Sequence, residues 1–353
     1  MRGIELTPEH PIADLVEIGE TAEEEGFDTL FSSCHYNNRD PFVVLDRVAA
    51  ATDEIRVGPG VANPYETHPV TLASRVATLH ETSDGRAVCG LGAGDRSTLR
   101  NLGYDRDRPL RRVLEAMKVS QKLWAGERVD HEGTFTATDA SLNYAVGASA
   151  DAPTASDETG GDSADADETD KPGEIPVYVG AQGPHMIRMS AKHADGVLVN
   201  ASHPKDFAWA DEQVEKGLAD RPESRGDFDF AAYASVSVAE DETAAREAAR
   251  PPVAFIVGGA APPVLDRHGI DSERAKEIGE RVESGDFSAA FEAVTPEMID
   301  AFCIAGTVET AADRIADVLS YADSFVAGSP LGPDPKEAVS LAGAACDRAI
   351  RGE

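Results

Sequence analysis

The chain has 353 residues, 41% of them apolar, and 64 acidic against 32 basic side chains give it a formal net charge of −32. This excess excludes nucleic acid as a partner, because phosphate backbones bind basic surfaces. It is best tolerated where concentrated salt screens the repulsion, which predicts a salt-adapted protein. We expect it in the cytoplasm, because the chain has no signal-peptide pattern, no membrane-length apolar stretch and only four scattered cysteines.

The first half of the chain alternates short strands with helices. Apolar runs predict strands over Gly3–Leu6, Asp28–Ser32, Ile55–Val61 and Arg86–Leu91. Helical spacing, in several cases after a proline, predicts helices over Pro11–Glu25, Pro41–Ala51, Pro69–Thr82 and Arg108–Trp124. A small hairpin is expected over Glu127–Thr136. Strands separated by single helices indicate βαβ units, and therefore either an open doubly wound sheet or a closed barrel.

The second half continues the alternation. Strands are predicted over Ile175–Gly180, Gly196–Asn200, Asp229–Val238 and Ser324–Ala327. Helices are predicted over Pro184–Lys192, Pro204–Gly217, Thr307–Leu319 and Asp334–Arg351. Eight strands with helices between them favour a (β/α)8 TIM barrel of α/β class, formed by residues 1–353 as a single domain.

Two segments depart from the alternation. Asp241–Phe302 is mostly helical and too long for one crossover, so we expect a helical insertion before the last strand. Gly147–Glu174 consists largely of Ala, Asp, Glu, Ser, Thr and Gly and has almost no apolar side chain to bury. Such a segment cannot offset its ordering entropy, so it is predicted to be a flexible acidic surface loop rather than a domain boundary.

The carboxyl ends of the strands contain the candidate site residues, because active sites of barrels lie on that face. Glu5 stands inside the first strand, where a carboxylate is costly to bury unless it has a role or a partner; the alternative is that it faces solvent at the rim. Polar or glycine-rich segments follow the next five strands, at Ser33–Asn38, Gly58–Tyr65, Gly90–Thr98, Gly180–Pro184 and Asn200–Pro204.

These segments admit two interpretations, ligand recognition or ordinary turns. Glycines permit close backbone approach to a ligand, and a glycine-rich turn before a helix can present N–H groups to a phosphate. The nine histidines show no zinc-ligand spacing, and neither a nucleophile elbow nor a P-loop is present. The residues alone therefore predict a barrel enzyme for a phosphate-bearing organic ligand, with no metal.

The same segments carry a family resemblance. The chain resembles the F420-dependent methylene-tetrahydromethanopterin reductases of the bacterial-luciferase-like superfamily in an ordered series of short stretches. They are 3–5, 35–38, 58–65, 92–95, 178–184, 200–207, 253–256, 262–264 and 326–330. One position departs from the resemblance: Cys34 stands before His35 where relatives often have an acid, which puts any carboxylate role there in doubt.

The resemblance implies a luciferase-like barrel that binds coenzyme F420, a deazaflavin, at the strand ends. It implies a non-prolyl cis peptide at Gly60–Val61, forming a bulge that supports the cofactor ring. It makes Glu5 and Gln182 the catalytic residues that face the pterin. The cofactor-binding residues that it implies are His35, Tyr36, Asn37, Gly60, Val61, Ala62, Asn63, Gly92, Ala93, Gly94, Asp95, Gly180 and Ala181.

The resulting hypothesis is hydride transfer from reduced F420 to 5,10-methylene-tetrahydromethanopterin or 5,10-methylene-tetrahydrofolate. Glu5 would protonate the departing nitrogen, because burial favours the neutral form of a carboxyl. The alternatives are another F420-dependent enzyme, such as an alcohol or sugar-phosphate dehydrogenase, an FMN monooxygenase, or a deazaflavin-binding protein without catalysis. The resemblance also implies a homo-oligomer, for which apolar patches within Asp241–Phe302 could serve as an interface.

Overall fold

The computed structural model describes residues 1–147 and 174–352. The acidic segment predicted to be flexible lies almost wholly outside these residues. The strands are β1 Arg2–Leu6, β2 Thr29–Ser32, β3 Arg56–Pro59, β4 Cys89–Gly92, β5 Val129–Glu132, β6 Thr136–Ala140, β7 Val177–Ala181, β8 Gly196–Asn200, β9 Asp229–Val238, β10 Ile304–Gly306 and β11 Ser324–Leu331.

The helices lie between and after these strands. They are α1 Ile12–Glu24, α2 Pro41–Ala49, α3 Pro69–Thr82, α4 Arg96–Asn101, α5 Pro109–Trp124, α6 Pro184–His193, α7 Pro204–Leu218, α8 Glu242–Gly259, α9 Pro262–His268, α10 Ser272–Ser284, α11 Phe287–Glu292, α12 Pro296–Phe302, α13 Val308–Leu319 and α14 Pro335–Arg351. Proline at the first turn begins many of them, because its fixed φ suits that position and its missing N–H is not needed there. No helix of the described chain is long and apolar enough to cross a membrane.

Eight parallel strands form a barrel. Their order is β3-β2-β1-β11-β9-β8-β7-β4, and β10 pairs beside the end of β9. Single bridges from Val57 to Ala87 and from Ala62 to Leu91 bring β3 and β4 together and nearly close the sheet. This arrangement confirms the predicted (β/α)8 barrel and rules out the open doubly wound sheet.

The sequence prediction missed some elements and misplaced others. The hairpin β5–β6 is confirmed but ends later than predicted. The short elements α4 and β10 were not predicted, because six and three residues carry almost no periodicity. The last strand runs to Leu331 rather than ending at Ala327, since a register shift between Gly328 and Leu331 accommodates Pro330 and restores pairing with β9.

Apolar side chains fill both surfaces of the barrel wall. Outside the wall, two large clusters pack the strands against the surrounding helices. Inside it, a separate cluster contains Phe31, Val88, Tyr178, Leu198, Ala231 and Val326. The lumen is therefore a packed core, and any ligand must bind above it at one end of the strands.

Helices α8–α12 fill residues 242–302 between β9 and β10. They have an apolar cluster of their own, which includes Val257, Ile278 and Met298. The cluster also takes in Cys303 and Ala305 beside β10, so this helical segment packs directly on the barrel wall.

Glu115 on α5 anchors the hairpin β5–β6. It accepts hydrogen bonds from the Thr134 N–H and hydroxyl, both at 2.7 Å, from Arg111 Nε at 2.6 Å, and lies 3.2 Å from His131 Nε2. Burial raises the pKa of this carboxyl, but the hydrogen bonds outweigh burial and lower the pKa from 4.5 to about 2. A carboxyl with a depressed pKa stabilises the folded state above its ordinary pKa, and that contribution is lost as the pH falls towards 2.

We expect Glu115→Gln to lower the free energy of unfolding at neutral pH by about 1.5–3 kcal/mol, the usual range for hydrogen bonds to a charged group. Denaturant unfolding measures it. The difference from wild type should shrink as the pH falls from about 4.5 towards 2. Glu127→Gln, at an exposed position with no side-chain partner among the described residues, is the matched control. Equal stability of the Glu115 and Glu127 variants at neutral pH would contradict the assignment.

Candidate active site at the carboxyl ends of the strands

Strand alternation decides which side chains face the mouth of the barrel. Phe31 and Tyr178 lie in the lumen cluster, so Ser33 and Gly180, two residues further along, face inward at the carboxyl end. Ile4 belongs to the outer core, so its neighbour Glu5 faces inward as well. The sequence-predicted positions on β1, β2 and β7 therefore meet at one end of the barrel.

Glu5 is buried, with 4% of its surface exposed, which excludes the alternative that it faces solvent at the rim. Its Oε1 accepts a hydrogen bond from the Thr7 hydroxyl at 3.1 Å, and its Oε2 accepts one from the Ser329 N–H at 2.9 Å. Each carboxylate oxygen thus has a donor, which makes burial of the acid tolerable. The structure gives Glu5 the partners that its burial requires.

Tyr233 forms the floor of the mouth. Its backbone lies in β9. Its hydroxyl oxygen nevertheless reaches Gly60, the residue that follows β3, where an added Cβ would lie 3.1 Å from it. Three strands separate β9 from β3 in the sheet, so the ring crosses the lumen. Burial, followed by the charge of Glu5, raises the pKa of Tyr233 well above its ordinary value. The tyrosine is therefore a neutral group close to Glu5.

Cys34 lies half-buried at the end of β2, where its thiol donates a long hydrogen bond of 3.7 Å to the Ser32 carbonyl. Burial raises its pKa strongly, and the charges of Glu66 and Asp40 add to the effect. Because the thiolate is the nucleophilic form, this cysteine is a poor nucleophile.

The peptide bond Gly60–Val61 is cis, as the resemblance implied. Val61 then projects over the neighbouring strands into space that only glycines leave open. A Cβ on Gly92 would lie 2.4 Å from Val61 Cγ2, and one on Gly180 would lie 3.1 Å from it. Three of the predicted cofactor-binding positions therefore depend on one another sterically.

Two predicted polar residues stabilise the local backbone. Asn63 Oδ1 accepts from the N–H groups of Tyr65 and Glu66, at 3.1 and 3.0 Å. Asp95 caps α4, accepting from the Thr98 N–H at 2.7 Å. Burial raises the pKa of Asp95, but hydrogen bonds from the Ser97 hydroxyl and the Thr98 N–H lower it below the ordinary value. Both side chains fix the loops that follow β3 and β4.

Three of the remaining predicted residues, Ala62, Ala93 and Ala181, have buried side chains that pack in the clusters outside the barrel wall. Four others are exposed around the mouth. His35, Tyr36 and Asn37 are exposed after β2, and the Asn101 amide donates a 3.4 Å hydrogen bond to the Tyr36 hydroxyl. Gln182 is exposed after β7, and its amide has no partner in residues 1–147 and 174–352. These groups are free to contact a ligand above the lumen.

Sequence reasoning missed three polar residues at the mouth: Thr7, Tyr233 and Ser329. Thr7 directly follows β1 and Ser329 follows the predicted last strand, so a local signal was present for these two, whereas Tyr233 lies in the middle of β9. The contacts of Ser329 with Thr7 and Glu5 join residues 322 and 324 positions apart and could not be found locally.

The polar groups at the mouth suit an organic ligand with an anionic part. The Ser33 hydroxyl is buried without a protein partner among the described residues, which leaves a donor directed into the inward-facing layer. On the rim, Arg106 donates to the Ala93 carbonyl at 3.2 Å, and neither it nor Arg96 forms an ion pair within the described chain. Burial and the neighbouring Arg96 charge lower the pKa of Arg106, so two cations lie together in a very acidic protein. An anionic ligand group would relieve their repulsion.

A metal centre finds no support in the described residues, where no group of three or more His, Cys, Asp or Glu side chains could hold an ion.

Known proteins define the class of this barrel. The family model for luciferase-like monooxygenases matches residues 2–326. The 5,10-methylenetetrahydromethanopterin reductase of Archaeoglobus fulgidus is 41% identical over 348 residues, which cover 97% of each protein. That of Methanopyrus kandleri is 38% identical over 359 residues, covering 97% of this chain and 96% of the relative.

Solved structures give the same grouping. The coenzyme F420-dependent tetrahydromethanopterin reductase from Methanopyrus kandleri superposes with a TM-score of 0.83 at 35% identity, covering 97% of this chain and 96% of that one. An F420-dependent secondary alcohol dehydrogenase shares the fold at 19% identity, with a TM-score of 0.72. The chain belongs to the luciferase-like monooxygenase family and, within it, groups by sequence with the 5,10-methylenetetrahydromethanopterin reductases.

The contact between Val61 and Gly92 generates a stability prediction. Gly92→Ala is expected to cost about 1–3 kcal/mol of unfolding free energy, because its methyl group would overlap the Val61 side chain. Val61→Ala removes the overlapping methyls, so the double variant should be more stable than the sum of the single changes predicts. Denaturant unfolding of the four proteins gives this coupling. Simple additivity would show that Val61 does not occupy the space beside Gly92.

Proposed function

We propose that this protein reduces a 5,10-methylene-tetrahydropterin to its 5-methyl form with a hydride from reduced coenzyme F420. The observation that carries the proposal is the buried carboxyl of Glu5, held at both oxygens directly above the lumen core. The names of the similar reductases support the substrate, and the likeness to the solved F420-dependent reductase supports the cofactor.

Four segments at the strand ends would hold the cofactor: 35–37, 60–63, 92–95 and 180–181. When bound, reduced F420 supplies the hydride. The chain contributes the bulge at Val61, the glycine backbones beside it, and the unpartnered Ser33 hydroxyl. Arg96 and Arg106 would bind an anionic group of the ligand. Holding two rings at reacting distance lowers the barrier mainly by orientation.

Glu5 is the proton donor in this proposal. The bridging methylene of the substrate opens to an iminium ion when the departing nitrogen is protonated. Glu5 gives that proton, and the Thr7 hydroxyl and Ser329 N–H then stabilise the carboxylate that forms. The exposed amide of Gln182 would orient the pterin at the open side of the mouth. Hydride addition then converts the iminium carbon into a methyl group.

The carrier is proposed to be a methanopterin, because reductases that are 37–41% identical to the chain are named for that substrate. A tetrahydrofolate carries the same reacting ring and forms the second arm of the test.

The acidic composition supports a proposal about the setting in which the enzyme works. A net charge of −32 suits a cytoplasm rich in salt.

We also propose a homo-oligomer. Phe255 and Phe287 are 51% and 46% exposed on α8 and α11, and their rings lie 6.0 Å apart in a cluster with Phe291. Exposed aromatic clusters of this kind mark association surfaces. In this proposal the chain forms a single barrel domain, residues 241–302 are an insertion in it, and the association surface lies on that insertion.

The activity test follows reoxidation of reduced F420 in molar salt with methylene-tetrahydromethanopterin and, separately, with methylene-tetrahydrofolate. Wild type should oxidise the cofactor with the methanopterin. Glu5→Gln should lower kcat by about 10²–10⁴-fold, the usual contribution of general acid catalysis, with little change in F420 affinity.

The control is Glu66→Gln, at a half-buried glutamate beside the same mouth. Full turnover by Glu5→Gln would disprove the assigned acid. If F420 binds but neither pterin oxidises it, the substrate would instead be an alcohol or a sugar phosphate.

A further inference from the structure

A chain of hydroxyl groups leads away from Glu5. The Thr7 hydroxyl lies 3.1 Å from Glu5 Oε1, and the Ser329 hydroxyl lies 2.8 Å from the Thr7 hydroxyl. When Glu5 is ionised, Thr7 must donate its only proton to the carboxylate. Ser329 must then donate to Thr7, so the three groups form one directed chain.

The chain runs from a buried acid towards solvent. Glu5 is 4% exposed, whereas Thr7 and Ser329 are both half-buried. The register shift of β11 between Gly328 and Leu331 places Ser329 here, with its N–H on Glu5 and its hydroxyl on Thr7. One residue thus holds the carboxylate and extends the path outward.

Other titratable groups close to Glu5 are poor proton sources. Burial raises the pKa of Tyr233 on β9 and of Cys34 after β2, and the charge of Glu5 adds to both shifts. Both groups therefore keep their protons at neutral pH. A buried acid that loses a proton in each turnover needs another route for its return.

We propose that Thr7 and Ser329 form a proton relay that reloads Glu5 between turnovers. The inference rests on the proposed function, in which Glu5 gives its proton to the substrate nitrogen. In the reloading step, a hydronium ion gives a proton to Ser329 Oγ and becomes water, Ser329 passes its own proton to Thr7, and Thr7 passes its own proton to Glu5. One proton enters from solvent for each one delivered to substrate, and no electrons move.

The test separates the first turnover from later ones by stopped-flow absorbance of the deazaflavin. Thr7→Val keeps the shape of the side chain but removes the hydroxyl. Thr7→Val also removes a hydrogen bond to the Glu5 carboxylate, which slows every turnover, whereas the relay is needed only to reload Glu5 between turnovers. The first-turnover rate constant should therefore fall less than steady-state kcat. Steady-state kcat should fall about tenfold or more, because a proton-transfer step is slowed.

Two further variants keep the proposal falsifiable. Thr7→Ser retains a hydroxyl and should restore most of the steady-state rate. Ser329→Ala keeps the N–H on Glu5 and breaks only the outer link, so it should slow later turnovers while sparing the first.

Two outcomes would overturn the relay. One is a first turnover slowed as much as the steady state, which would indicate a structural role. The other is an unchanged steady state in both Thr7→Val and Ser329→Ala. If Glu5→Gln is inactive while Thr7→Val is normal, the relay fails but the proposed function stands. If Glu5→Gln keeps full activity, the acid assignment itself fails.

Discussion

The pair of hydrogen bonds on Glu5 is the interaction on which the site depends. The bond from the Thr7 hydroxyl is local, but the bond from the Ser329 N–H joins β1 to β11, strands at opposite ends of the chain, through residues 324 positions apart. The two residues meet because β1 pairs with β11 in parallel register. Burying a carboxylate without such partners would cost several kcal/mol. The fold therefore stabilises a buried acid at this position. The chemistry proposed for the site depends on that acid.

Steric crowding shapes the rest of the mouth. The ring of Tyr233 crosses the lumen to Gly60, and Val61 fills the space beside Gly92 and Gly180. A flat floor and a bulge result, built from glycines whose missing side chains leave the room. The polar groups above this floor differ in role: Asn63 and Asp95 fix loops, while Gln182, His35 and the arginines on the rim are open to a ligand.

The barrel could be predicted from the sequence because strands and helices give local patterns of apolar residues, and proline and glycine mark where many of them begin and end. The same signals located Glu5 and the glycine segments, since the carboxyl ends of parallel strands share one face. The contacts of Glu5 could not be predicted, because they depend on a register shift near Pro330 and on pairing between the first and last strands. The position of the Tyr233 ring across the lumen could not be predicted either, because a tyrosine in an apolar strand does not show how far its ring extends. The short elements β10 and α4 were missed because three and six residues are too few to show a hydrophobic period.

The central claim is direct hydride transfer to the carbon of the pterin, assisted by the buried acid. The most direct measurement uses F420 reduced with deuterium at its hydride position, mixed with enzyme and methylene-tetrahydromethanopterin in molar salt, with mass analysis of the product. The account predicts a methyl-pterin with one deuterium in its methyl group. A methyl-pterin without deuterium, or cofactor oxidation without methyl-pterin, would contradict it.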